Sequence, residues 1–186
     1  MIFASLQGSN SQRLTGQVVQ IERIGLVAGL HVDMSGCNPQ AVASLRQCTD
    51  LPLEVHLIGE RPTTFMKSFA DAGANRLTVQ AEACRHLHTE ILWAQALGVQ
   101  IGVALNPETP LFAIDHLLQD IDQVLLVGAD AEKIASCRRM IDFARARAIL
   151  TIESGVRIEN AARLILSGAH ALVIGSAEFA EGGLAA

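Results

Sequence analysis

Apolar, β-branched-rich runs recur along the chain at nearly constant spacing, and this period constrains the fold more than any single motif. They begin at Ile2, Gly29, Leu53, Arg76, Gln100, Gln123, Ala148 and Ala171, 23 to 27 residues apart. Runs such as Ile101-Gly102-Val103-Ala104-Leu105 and Ala171-Leu172-Val173-Ile174 are apolar on both faces, as strands are in a parallel sheet covered by helices. Helix-period segments fill the gaps, opened by Asn38-Pro39, Arg61-Pro62 and Thr109-Pro110 and closed by Gly73, Gly98 and Gly168. Eight such units predict an α/β fold, a (β/α)8 TIM barrel. An open doubly wound sheet is disfavoured, because no Gly-x-Gly-x-x-Gly follows the first strand.

Barrels of this kind usually have about 250 residues. A chain of 186 is therefore expected to have trimmed catalytic-face loops and an abbreviated final helix. The glycine-broken tail from Glu178 to Ala186 is short for a full closing helix, so the last layer is either incomplete or covered by a second copy of the chain. One domain over residues 1–186 is expected, since no composition break divides the chain.

The net charge is −5, and Lys67 and Lys133 are the sole lysines. This balance argues against nucleic-acid binding, which needs a basic face. The cluster Arg138, Arg139, Arg145 and Arg147 falls in a helical pattern and reads as a solvated helix face. Met1-Ile2-Phe3-Ala4-Ser5 reads as a strand with no charged leader, so a cytoplasmic protein without membrane insertion is expected. Cys37, Cys48, Cys84 and Cys137 lack Cys-x-x-Cys spacing and read as reduced thiols.

Working residues of such barrels lie at the C-terminal ends of strands. His31, Asp33, His56, Gln80, Asn106 and Glu153 qualify. In Leu30-His31-Val32-Asp33 the two polar side chains stand two apart and project from one strand face. With His56 and Glu153 from other strands they make a two-histidine, two-carboxylate set suited to zinc, iron, cobalt or manganese. The His86 and His88 pair opens a helix, points in different directions and reads as structural. Trp93 reads as a helix-packing residue. A Schiff-base lysine is disfavoured, since Lys67 and Lys133 both lie in helical segments. Loops after the last two strands often bind phosphate through backbone N–H groups; here they contain Ser154-Gly155 and Gly175-Ser176.

Across nearly its whole length the chain resembles the ribulose-phosphate 3-epimerases. Ser5 matches that family's first-strand serine, Leu30-His31-Val32-Asp33 its His-x-Asp strand, and Leu53-Glu54-Val55-His56-Leu57 its Asp-Val-His-Leu-Met strand. The most specific stretches are Glu82-Ala83-Cys84-Arg85-His86-Leu87-His88 and Gly102-Val103-Ala104-Leu105-Asn106-Pro107-Glu108-Thr109-Pro110. The resemblance implies one divalent ion held by His31, Asp33, His56 and Glu153. It also implies that Asp33 and Glu153 carry protons to and from C3 of a ketose phosphate, and that Ser5, Ser154, Gly155, Gly175 and Ser176 contact the substrate and its phosphate.

There are departures from the family pattern. Its Val-Asp-Gly-Gly-Val appears as Ile152-Glu153-Ser154-Gly155-Val156, so the acid is one methylene longer. Its glycine-rich loop after strand six shrinks to Val127-Gly128-Ala129-Asp130, and Gln80 replaces its fourth-strand histidine. Retention of His31, Asp33 and His56 points to a metal-dependent 3-epimerase. Loss of the loop keeps open a non-catalytic phosphosugar-binding or partner-subunit relative. A small phosphorylated ketose is the expected ligand in both cases.

Overall fold

The computed structural model describes residues 1–6, 11–175 and 178. Eight parallel strands close into a barrel in chain order. They are β1 (Ile2–Leu6), β2 (Gly29–Asp33), β3 (Leu53–Leu57), β4 (Arg76–Gln80), β5 (Gln100–Leu105), β6 (Gln123–Val127), β7 (Ile149–Glu153) and β8 (Ala171–Gly175). Among the described residues six α-helices pack outside: α1 (Ser11–Ile24), α2 (Pro39–Arg46), α3 (Thr63–Asp71), α4 (Leu87–Ala96), α5 (Ala131–Ala144) and α6 (Ile158–Leu166). Ser176 and, apart from Glu178, the segment expected to form the final helix lie outside the described residues. No described helix is long and apolar enough to cross a membrane.

Strand alternation sorts the side chains into two cores. Outward-facing residues such as Leu30, Val55, Leu77, Val103, Leu126 and Leu150 are buried beneath the helices and form the main apolar shell. Inside the barrel, Phe3, Ala104, Leu125, Ala171 and Val173 form a small second cluster. The rest of the interior is polar, where barrels of this kind usually hold layers of branched apolar residues. Two glycines make room inside the barrel, one for the apolar Phe3 and one for the polar Thr78. A Cβ at Gly29 would lie 2.6 Å from the Phe3 ring, and one at Gly102 would lie 2.5 Å from Thr78 Oγ1.

Helix starts follow local chemistry. Asn38 caps α2 by accepting from the Ala41 N–H at 2.9 Å, with Pro39 in the first turn. Asp130 caps α5 by accepting from the Lys133 N–H at 2.8 Å. This cap begins α5 three residues after β6, which is how the trimmed loop is accommodated. α3, α4 and α6 end at Asp71, Ala96 and Leu166, and the chain turns away at Gly73, Gly98 and Gly168, which adopt φ of 97°, 76° and 119°.

Two expectations need correction. Thr109-Pro110 opens no α-helix. Two 3₁₀ turns follow instead, Leu111–Ala113 and Asp115–Leu117, because Ile114 between them leaves helical geometry at φ −125°, ψ 3°. These turns still bury Ile114, Leu117, Leu118 and Ile121 against the barrel. Trp93 does not pack: α4 turns Ile91 and Ala94 inward, and Trp93, two positions beyond Ile91, is 47% exposed.

Candidate metal centre

Strand register assembles the cluster. Asp33 on β2 pairs with His56 on β3, Ser5 on β1 pairs with both His31 on β2 and Gly175 on β8, and Val127 on β6 pairs with Glu153 on β7. His31, Asp33, His56 and Glu153 thereby point into the C-terminal end of the barrel, each with one ligand-type atom within 4.8 Å of the others.

His31 Nε2 lies 3.4 Å from Asp33 Oδ1 and 3.3 Å from Glu153 Oε1. His56 Nδ1 lies 3.5 Å from Asp33 Oδ1 and 3.3 Å from Glu153 Oε2. Glu153 thus spans both imidazoles, one oxygen to each, so its extra methylene still delivers the carboxylate to the cluster.

The residues fit a divalent cation. His31 Nε2, Asp33 Oδ1, His56 Nδ1 and Glu153 Oε2 are all buried without a hydrogen-bond partner among the described residues. Four buried polar atoms left facing one another carry a large desolvation cost unless something positive sits between them. Donors about 2.0–2.2 Å from a common ion in tetrahedral array stand roughly 3.4 Å apart, which matches the separations found. Of the two outer ring nitrogens, that of His56 is hydrogen-bonded and that of His31 is buried without a hydrogen-bond partner among the described residues. His56 Nε2 lies 3.0 Å from Gln80 Oε1. His31 Nδ1 faces Glu54 Oε1 at 3.7 Å. Glu54 accepts from Thr78 Oγ1 at 2.8 Å and from Gln123, and lies 3.5 Å from Arg76 Nη1.

In the absence of a cation, protons take its place. Burial works against charge on His56, but Asp33 and Glu153 outweigh it and raise the imidazole to about 9. His31 is likewise raised well above 6.5 by Asp33, Glu153 and Glu54 against its complete burial. Burial would raise the two carboxyls, yet the facing histidines hold Glu153 at about 2 and Asp33 lower still.

Stability of the metal-free protein should follow these shifts. The Glu153 contribution is present above pH 4.5 and disappears as pH falls through about 2, whereas the His56 contribution is full below pH 6.5 and disappears as pH rises through about 9. Thermal melts of chelator-stripped protein are expected to give the highest Tm between pH 4.5 and 6.5, with a decline toward pH 9. A Tm that is flat or rising between pH 6.5 and 9 would contradict this electrostatic account.

A cleft of about 250 Å3 opens beside the cluster, lined by Ser5, Asp33, Glu153, Ser154, Gly155, Val156, Val173 and Gly175. The carboxylates and the small-residue rim expected to meet a phosphate therefore share one space. Ser154 and Gly155 have φ of 63° and 71°. The serine, where the family pattern has glycine, holds a left-handed conformation that costs about 1–2 kcal/mol in a non-glycine residue. Asn106 lies away from the cluster, in the loop after β5, and Gln80 reaches it only through His56. Lys133 is tied to backbone carbonyls. Lys67 is surface-exposed, paired with Asp71 at 2.7 Å, so neither lysine enters the cleft. Sequence reasoning overlooked Glu54, although its place two residues before His56 on β3 puts both on the inner face.

A profile of the Ribulose-phosphate 3 epimerase family matches residues 1–179. The chain belongs to the ribulose-phosphate 3-epimerase family. It is 35% identical to the ribulose-phosphate 3-epimerase of Bacillus subtilis, over 97% of this chain and 92% of the relative. It is 34% identical to the chloroplastic ribulose-5-phosphate-3-epimerase of Arabidopsis thaliana, over 96% of this chain and 71% of that one. Among solved structures, 3-keto-L-gulonate-6-phosphate decarboxylase from Vibrio cholerae superposes with a TM-score of 0.79 at 16% identity, covering 98% of this chain and 91% of that one. A tryptophan synthase structure from Pyrococcus furiosus gives 0.71 at 14%, covering 96% and 88%. These two likenesses concern the barrel fold alone. Within the ribulose-phosphate 3-epimerase family this member carries glutamate where the seventh-strand motif has aspartate, and a three-residue connection from β6 to α5.

Proposed function

We propose that the protein interconverts D-ribulose 5-phosphate and D-xylulose 5-phosphate by inverting C3 through an enediolate. The observation that carries this reading is the placement of Asp33 and Glu153 against the same two imidazole nitrogens, 3.3–3.5 Å away, in one cleft. Inversion needs a proton taken from one face of C3 and another delivered to the opposite face, and two carboxylates on separate strands meet that demand.

His31, Asp33, His56 and Glu153 would hold one divalent cation, zinc, iron, cobalt or manganese by their chemistry. Held there, it would supply Lewis acidity that stabilises negative charge on the substrate oxygens. One of Asp33 and Glu153 takes the C3 proton, and the C3–H electron pair moves into the C2–C3 bond as the carbonyl oxygen gains charge. The other, protonated at the start of the turnover, gives its proton to the opposite face as the electron pair returns from the C2–C3 bond to the new C3–H bond; the two carboxyls exchange protonation states, so the reaction is balanced without a co-reactant. Ser5, Ser154, Gly155 and Gly175 form the rim that positions the phosphate and keeps C3 between the carboxylates, with Ser176 assigned to the same role.

The test is NMR of D-ribulose 5-phosphate in heavy water with manganese- or zinc-loaded protein. Loss of the C3 proton signal together with the appearance of D-xylulose 5-phosphate is expected. Absence of exchange in folded, metal-loaded protein would overturn the proposal.

A further inference from the structure

His56 faces the cluster with Nδ1, and its other nitrogen starts a hydrogen-bonded chain leading out of the centre. Nε2 lies 3.0 Å from Gln80 Oε1, and Gln80 Nε2 donates to Glu82 Oε2 at 2.6 Å. Glu82 Oε1 accepts from the Asn106 N–H at 2.9 Å and from the Thr109 hydroxyl. Burial would raise the Glu82 carboxyl, but these donors together hold it below its usual value. An ionised carboxylate only accepts hydrogen bonds. Gln80 must therefore turn its NH2 toward Glu82 and its carbonyl toward His56. That carbonyl also only accepts, so Nε2 of His56 carries a proton, and in the neutral ring that a bound cation requires the Nδ1 lone pair is the one that faces Asp33 and Glu153.

We propose that Glu82 is a positioning residue that acts through Gln80 to set the tautomer of His56, and thereby the affinity of the centre for a divalent cation. The proposal rests on the metal-centre reading above. The same carboxylate links the centre to the loop after β5, which Lys133 Nζ holds from its other side through the carbonyls of Asn106, Pro107 and Thr109, each at 2.8 Å. Glu82→Gln removes the fixed polarity, because an amide at 82 can donate as well as accept. The Gln80 amide is then free to turn over and donate to Nε2, which moves the His56 proton to Nδ1, on the ligand side.

Zinc and manganese affinities of the full chain, measured by competition with a chromophoric chelator, test this in Glu82→Gln, Gln80→Met and the double variant. Each single change is expected to weaken binding by about 10–100-fold. The double variant is expected to be no weaker than the weaker single, because both act through one hydrogen bond. Glu82→Asp, which keeps an acceptor-only group, should lie nearer wild type. Nitrogen-15 NMR of zinc-loaded wild type should place the His56 ring proton on Nε2, a readout that needs no variant to fold. Additive losses, a Glu82→Gln affinity within about twofold of wild type, or a ring proton on Nδ1 would overturn the assignment. Wild-type protein that takes up neither ion would overturn the metal centre itself, and this role with it.

Discussion

Asp33→Asn is expected to lower kcat for epimerisation of D-ribulose 5-phosphate by about 10³-fold or more, and Glu153→Gln by a similar factor. A positioned acid or base typically contributes 10²–10⁴-fold, and each residue also faces both histidines across 3.3–3.5 Å, so each change weakens cation binding as well. Measuring under saturating metal separates the two effects. With the site filled, the remaining loss belongs to proton transfer. The variants should then differ by substrate: one carboxylate deprotonates ribulose 5-phosphate and the other xylulose 5-phosphate, so exchange at C3 in heavy water should survive partially from one side in each. A variant that retains more than about a tenth of wild-type kcat would remove its residue from the proton path.

Stripping the protein with a chelator is expected to abolish turnover and to lower thermal stability. A ligand that binds only the folded state stabilises it by about 2.7 kcal/mol at 100 times its Kd. For a chain of this size that corresponds to a Tm rise of roughly 5–10 °C. His56→Ala should remove that rise while leaving the barrel folded, because His56 belongs to the polar interior and to neither apolar cluster. A Tm of stripped wild type that does not respond to zinc, manganese, cobalt or iron would exclude a tightly held cation. Metal affinity unchanged in His56→Ala would exclude His56 from the centre.

The shortened β6–α5 connection bears on substrate handling. Asp130 begins α5 almost directly after Gly128, so the cleft lacks the glycine-rich segment that the family pattern places there. Glu153 retains 13% exposure and Asp33 27%. Water reaches the carboxylates more readily than in a closed site, and closure normally strengthens the electrostatics on which proton abstraction depends.

The barrel was legible from sequence because its cause is local. Runs such as residues 101–105 and 171–174 are too hydrophobic for an edge or a one-sided sheet, and the segments between the eight runs are long enough for a crossover. Seven of the eight run starts coincide with strand starts, and Ala148 precedes β7 by one residue. The His31 and Asp33 pair was legible for the same reason, since period-two spacing fixes which side chains share a face. The missing helix after β5 was not. Pro110 permits a helix start, but whether Ile114 continues it depends on how Ile114, Leu117 and Leu118 seat against the barrel. Trp93 was misread because α4 has nearly uniform hydrophobicity around its circumference, which leaves its buried face to packing.

The sequence by itself determined a closed parallel barrel, the strand ends that carry chemistry, and the four side chains able to hold a cation. The tertiary structure decided how these groups meet. Hydrogen-bonded register around all eight strands brings Glu153 to both histidines despite its added methylene, and places Glu54 behind His31 and Gln80 with Glu82 behind His56. Those distances come from closing the barrel through pairings between residues far apart in the chain. No local pattern encodes them, because a carboxylate's role depends on which nitrogen it faces.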